Sequence, residues 1–153
     1  MSEIEIRPAR DVELGRVAEL RWRWVTENGD TPATPREEFT RRFAEWARRH
    51  EHSHQCLVAV RDGEVLGMAW LAVLPRVPTP NALDRQSGDV QCVYVVPHER
   101  DAGLGRRLVG RLLDRARQLG LERVVVHSSS RAIPAYARLG FAVSPRLMQT
   151  RPA

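Results

Sequence analysis

Arg100, Gly103 and Gly105 stand in the order R-x-x-G-x-G, between the apolar run Val93-Tyr94-Val95-Val96 and a segment with helical periodicity. A helix that opens there leaves its first backbone N–H groups without intrahelical partners, and its dipole favours negative charge at the same point. Glycine lacks a Cβ, so Gly103 and Gly105 allow unusual dihedral angles and a close approach of main chain to ligand. Arg100 adds a permanent cation beside those amides. The chemistry on offer is the grip of a di- or triphosphate.

Two phosphate-binding motifs are excluded by residue type. A P-loop needs G-K-[ST], and the chain has no lysine. A dinucleotide fingerprint needs a third glycine where Leu108 stands. Taken alone, the pair of glycines also fits a helix start that merely packs well. A second block gives it context. Val124-Val125-Val126-His127 reads as a buried strand, Ser128-Ser129-Ser130 follows, and Tyr136 opens a Y-x-x-x-G-F exit ending at Gly140-Phe141.

The two blocks together resemble the GNAT superfamily of acyl-CoA-dependent N-acyltransferases, most strongly from Asp89 to Phe141. The resemblance implies acetyl-CoA as acyl donor, no metal, and a cleft between two parallel strands that splay apart. It places the pantetheine arm along the main chain of Val93, Tyr94 and Val95, with the Val95 N–H polarising the thioester carbonyl. It places the pyrophosphate on Arg100, Asp101, Ala102, Gly103, Leu104, Gly105 and Arg106. Tyr136 matches the tyrosine that protonates the departing thiolate; its other reading is an aromatic packing residue. Ser129 stands where the family often carries an asparagine that bonds the pantetheine, and a hydroxyl makes a similar bond with shorter reach.

An amine is mostly protonated near neutral pH, so something must take its proton before attack. Asp89, at the expected start of the strand entering the site, is the first candidate, directly or through water; a strand-edge residue is the equal alternative. Glu27, Asp30, Glu37 and Glu38 fall where the family builds its acceptor site. Glu37 and Glu38 are also explained as partners of a helix dipole in a first turn. His50, His52 and His54 alternate, yet they fall at a helix end and loop, which reads as solvated rather than metal-binding.

The elements that must position these residues follow from periodicity and turn signals. Ile4 to Arg7 alternates like a half-buried strand. Asp11 caps an expected helix to Glu27, with Val12, Leu14, Val17, Ala18, Leu20 and Val25 on its apolar face. Trp22 and Trp24 lie two apart on it and cannot share a face. A second helix starts at Pro35 with Thr34 as cap, turning Phe39, Phe43 and Trp46 inward. Gln55–Val60 and Val65–Leu74 form a hairpin at Asp62-Gly63. A proline-rich loop, Pro75 to Gly88, then leads to a strand from Asp89 to Val96. A helix spans Leu104 to Leu119 with Gly120 behind it. Arg123–His127 is the next strand, Ala132–Leu139 a short helix, and Phe141–Val143 with Leu147–Thr150 close the sheet. The order is β-α-α-β-β-β-α-β-α-β-β, a mixed α/β (α+β) domain with helices on both faces of the sheet and a splayed parallel pair. It is also the GNAT order.

Composition is compatible with this. A chain of 153 residues implies one domain, spanning residues 1–153, with a core of its own. Nothing in it approaches a membrane span or a signal peptide, so the expected location is cytoplasmic. Cys56 and Cys92 fall inside strands and read as free thiols. All 24 basic residues are arginine and the net charge is +5, which reads as the codon bias of a GC-rich bacterial genome. The arginines are dispersed without a nucleic-acid motif. Three functions stay open: acetyl transfer to the primary amine of a small molecule or peptide, a non-catalytic acyl-CoA sensor, and acylation of aminoacyl-tRNA. A homodimer is expected from base rates alone.

Overall fold

A computed structural model describes residues 2–153. Its centre is a five-stranded sheet in the order β1 (Glu5–Pro8), β2 (His54–Arg61), β3 (Glu64–Pro75), β4 (Gln86–Val95), β5 (Val124–Val126). The first four are antiparallel neighbours, and β5 runs parallel to β4. Helices α1 (Leu14–Glu27) and α2 (Arg36–Arg49) pack together on one face. Trp22 meets Phe39 at 5.9 Å, and Phe43 meets Trp70 of β3 edge-on at 5.7 Å. Helix α3 (Leu104–Leu119) covers the opposite face through Leu104, Leu108 and Leu112, as its apolar stripe requires. The expected mixed α/β sheet is present with its splayed parallel pair.

The β2–β3 hairpin turns where expected. Asp62 and Gly63 have φ of 51° and 79°, the left-handed pair that matches the twist of the strands. Gly67 is required on different grounds, because a Cβ there would meet Tyr94 O at 3.0 Å and Leu108 Cδ1 at 3.2 Å.

Several expectations are corrected. Helix α1 opens as a 3-10 turn, Asp11–Glu13. Arg10 is the N-cap of that turn, and the carboxylate of Glu13, its third residue, accepts from Arg10 N–H at 2.8 Å. Asp11 accepts from Arg48 Nε instead, at 2.7 Å, and Val12 is 87% exposed. Pro35 itself, rather than Thr34, is the N-cap of α2. The β3–β4 pairing extends to Pro75 opposite Gln86, which shortens the proline-rich loop and moves Asp89 inside the strand. The histidine stretch is a helix end and turn with His52 exposed, as expected, but His50 and His54 are half-buried: His50 ends α2 and stacks on Trp46 at 4.4 Å, while His54 opens β2. β5 and α4 (Ile133–Arg138) are each shorter than expected, and a 3-10 turn at Ser130–Ala132 precedes α4.

The two closing strands are absent among the described residues. Phe141 packs against Tyr136 at 5.4 Å, but Val143, Leu147 and Met148 are 84%, 62% and 88% exposed. A turn at Ser144 bonds Leu147 N–H to Ser144 O at 3.3 Å, and Pro145 has no N–H to give a ladder. β-branched and apolar residues make a strand only against a neighbouring one, and this segment pairs with none.

Arg7 and Glu13 tie β1 to that first turn through two parallel hydrogen bonds of 2.7 and 2.8 Å, with both side chains largely buried. The Arg7 guanidinium, aided by Arg10 N–H, holds the Glu13 carboxyl below its ordinary value of 4.5. A carboxyl so depressed contributes stability above its unfolded pKa and loses it as pH falls through the folded one. Glu13→Gln is therefore expected to cost about 1–3 kcal/mol at pH 7. Urea unfolding should show the gap to wild type closing below about pH 4.

Candidate active site

The site is built by one irregularity in β4. Gly88 N–H donates to Arg123 O on the β5 side at 2.8 Å, whereas Val96 N–H donates to Leu66 O on the β3 side at 2.9 Å. Both positions are even-numbered, and N–H directions alternate along a regular strand. The phase therefore inverts between them. It does so at a bulge where Cys92 adopts φ of 51° and the register with β3 slips between Met68 and Trp70. Beyond the bulge the N–H groups of Val93 and Val95 face the β5 side. There, β5 pairs only with Gly88, Asp89 and Val90. Two main-chain donors thus point into an opening between parallel strands.

The strand leads directly into the glycine loop. Asp101 has φ of 67° and Gly103 of 81°, and a non-glycine residue at 103 would be strained. Gly103 is the N-cap of α3 and its carbonyl accepts from Arg107 N–H at 3.0 Å. The N–H groups of Leu104, Gly105 and Arg106 have no main-chain partner among the described residues. Gly105 lies against Val95, since a Cβ there would sit 3.8 Å from Val95 Cγ2. The anion nest and the open strand edge are consequently adjacent.

Arg100 is engaged rather than free. Its Nε donates to Val95 O at 2.8 Å, its other end reaches Glu27 Oε2 at 2.8 Å, and its guanidinium lies 5.1 Å from the Tyr94 ring. Tyr94 donates to Glu27 Oε1 at 3.3 Å and stacks on Trp24 at 5.9 Å. Arg100, with Tyr94 adding a smaller effect, holds the Glu27 carboxyl below its ordinary range. The cluster locks the end of α1 to the end of β4. Sequence reasoning placed Glu27 near an acceptor but missed this partnership, because nothing in local spacing links residues 27 and 100. Asp30 is exposed, and Glu38 pairs with Arg42 at 3.4 Å.

Tyr136 lies on α4, the short helix that follows β5. Burial alone raises its phenol above the ordinary value of 10.0. Ser129 is exposed after β5, and Ser128 Oγ donates to Ser129 O at 2.8 Å. Asp89 is half-buried on the α2 face of the sheet, where its Oδ2 accepts from Gln91 Nε2 at 3.0 Å. No group of three or more potential metal ligands occurs among the described residues. Nor is any helix among them long and apolar enough to cross a membrane.

A family model described as the Acetyltransferase (GNAT) family matches residues 16–141. The chain belongs to the GNAT acetyltransferase family. The matched region contains the bulged strand, the glycine loop and Tyr136. A glucosamine 6-phosphate N-acetyltransferase of Trypanosoma brucei brucei is 33% identical over 87 residues, covering 57% of this chain and 57% of the relative. A mycothiol acetyltransferase of Cellulomonas flavigena is 34% identical over 90 residues, covering 56% of this chain and 26% of the relative. The chain thus aligns with about half of one relative and a quarter of the other. The crystal structure of a Trypanosoma brucei acetyltransferase superposes with a TM-score of 0.75 at 27% identity, over 98% of this chain and 100% of that one. A protein from Clostridium acetobutylicum described as a predicted acetyltransferase and solved with acetyl-CoA shares the fold, with a TM-score of 0.78 at 19% identity over 97% and 96% of the two chains.

Proposed function

We propose that the protein transfers an acetyl group from acetyl-CoA to a primary amine by direct attack within a ternary complex. The observation that carries this reading is the pair of N–H groups at Val93 and Val95 on an unpaired strand edge that runs into the glycine nest. A pyrophosphate held by the amides of 101–106 directs the rest of the coenzyme back along β4. Remote anchoring of that kind spends binding energy on placing the reacting carbon.

Order along the strand then distributes the roles. Val95 is nearer the loop and takes the pantetheine arm. Val93, one repeat further on, takes the thioester carbonyl, a shift from the expected Val95. Asp89 supports the shift. It pairs with Ala72, while Tyr94 pairs with Met68, so five residues of β4 span only four of β3. Val93 is thereby about three residue pitches, roughly 10 Å, from Asp89, whereas Val95 is about five pitches, roughly 17 Å, away. An amine at Val93 is the nearer of the two to the Asp89 carboxylate, the candidate for drawing off its proton through water.

In the reaction the amine nitrogen attacks the thioester carbon, and the oxygen gains charge beside the Val93 N–H. The carbon–sulfur bond then breaks, and the leaving thiolate takes the Tyr136 proton. Because burial raises that phenol's pKa, it is protonated at neutral pH and suited to act as an acid. The relatives named above suggest a small amine as acceptor, and glucosamine 6-phosphate is the first to try.

The test is thiol release from acetyl-CoA against glucosamine 6-phosphate, a polyamine, an aminoglycoside and a peptide with a free N-terminus. Amine-dependent release is expected for at least one. Tight binding of acetyl-CoA without release for any amine would favour the sensor reading, and no binding would refute both.

A further inference from the structure

The pairing of three strands sets His54, Ala72 and Asp89 in one row across β2, β3 and β4. Residues in one row project from the same face. That face is the one covered by α2, since Trp70, two residues from Ala72 on β3, packs on Phe43 and Trp46. The Cα atoms of His54 and Asp89 are two strand spacings apart, roughly 9.6 Å. Between them stands only the methyl group of Ala72. All three residues are half-buried. The position over Ala72 is thus bounded by an imidazole on one side and a carboxylate on the other.

The hydrogen bonds around Ser53 are compatible with the tautomer that leaves Nε2 free, which is the one a relay through that nitrogen requires. Ser53 Oγ lies 3.3 Å from His50 O, which can only accept, and 2.8 Å from His54 Nδ1. A hydroxyl has one proton. When it donates to His50 O, which also accepts from the Ser53 and His54 N–H groups at 3.0 and 2.8 Å, it accepts from Nδ1–H, and in that arrangement the lone pair of neutral His54 is on Nε2. No protein partner of Nε2 occurs among the described residues. Trp46 braces the ring edge-on at 4.9 Å.

We propose that His54 and Asp89 form a proton relay across Ala72, which takes up the proton that the acceptor amine must lose before attack. The inference rests on the acetyltransferase reading above and extends its base. An ammonium N–H bond breaks, its electron pair stays on the attacking nitrogen, and the proton passes through water held by Asp89 to His54 Nε2. Asp89 remains ionised and stabilises the resulting imidazolium, which returns its proton to solvent. His54 acts through Asp89 and is a positioning residue, not one that touches the acceptor.

The groups facing the ring are His50 and His52 from the α2–β2 turn, Trp46 from α2, Ala72 from β3 and Asp89 from β4. Burial is the main influence and lowers the His54 pKa from its ordinary 6.5; His50 and His52 lower it further, and Asp89 opposes them. His54 is therefore neutral at pH 7, with Nε2 ready to accept.

The test has a spectroscopic arm and a kinetic arm. In the free protein, 15N-edited NMR of the histidines should show His54 as the Nδ1–H tautomer. In Asp89→Asn its titration midpoint should fall by about half a pH unit or more, because an opposing carboxylate has gone. An Nε2–H tautomer, or a midpoint unmoved by Asp89→Asn, would overturn the relay whether or not an acceptor is known. In the kinetic arm, with the amine that the panel identifies, His54→Gln should lower kcat/KM by about ten- to a hundredfold. The KM for acetyl-CoA should be unchanged, and the inflection due to His54 should vanish from the acid limb. Ala72→Leu, which fills the position between the two partners and leaves both in place, should do the same, whereas Ala72→Gly should keep activity. A His54→Gln pH profile parallel to wild type would contradict the proposal. Failure of wild type to acetylate any amine would count against the transferase reading itself, and the NMR titration would still decide the coupling.

Discussion

Tyr136→Phe is expected to lower turnover by about 10²- to 10⁴-fold, the usual worth of a positioned general acid. Acetyl-CoA binding should stay within about threefold, because the hydroxyl acts on sulfur only once the carbon–sulfur bond is breaking. The ring survives the change, so the edge-on contact with Phe141 at 5.4 Å is kept and the fold with it. Burial is the cause of the raised phenol pKa, which fixes the sign of the pH dependence. Wild-type kcat should hold through the neutral range and decline only where the phenol ionises, above its ordinary 10.0. Stopped-flow measurement of thiol release across pH checks both parts. Equal rates in the two proteins would return Tyr136 to a packing role.

The second large effect concerns a group that no side-chain substitution removes. Replacing Val93 with 2-hydroxyisovaleric acid turns its amide into an ester and deletes one N–H. The β3–β4 ladder is spared, because that N–H faces the opening. Loss of an oxyanion-type donor should lower kcat by about 10²- to 10³-fold. The same replacement at Val95 should raise the KM for acetyl-CoA with little change in kcat, since it removes binding shared by ground and transition states. The reverse pattern would place the thioester one repeat nearer the loop.

Much of the fold was legible because its signals are local. Asp62-Gly63 announces a hairpin, Gly120 a helix end, and the stripe of Leu104, Leu108 and Leu112 a buried face. R-x-x-G-x-G and the tyrosine exit were legible as motifs for the same reason. What was illegible depends on pairing between distant segments. The bulge carries no glycine or proline at Gln91-Cys92-Val93, so nothing marked the point where the N–H pattern inverts. Arg100 looked like a free cation because Glu27 reaches it from another element. His54 looked solvated because its place in a row with Ala72 and Asp89 exists only once β2, β3 and β4 have their register. The closing strands failed from the opposite cause: Phe141–Val143 and Leu147–Thr150 have strand-like composition, but composition supplies no partner.

The most direct measurement of the central claim is residue-resolved amide hydrogen exchange with and without acetyl-CoA. Val93 and Val95 N–H, facing the opening, should exchange rapidly in the free protein. Acetyl-CoA should slow both, together with the amides of 101–106, and leave the already paired Tyr94 N–H nearly unchanged. Protection at 101–106 without Val93 and Val95 would contradict the account, because the coenzyme would then be held without its thioester reaching the strand edge.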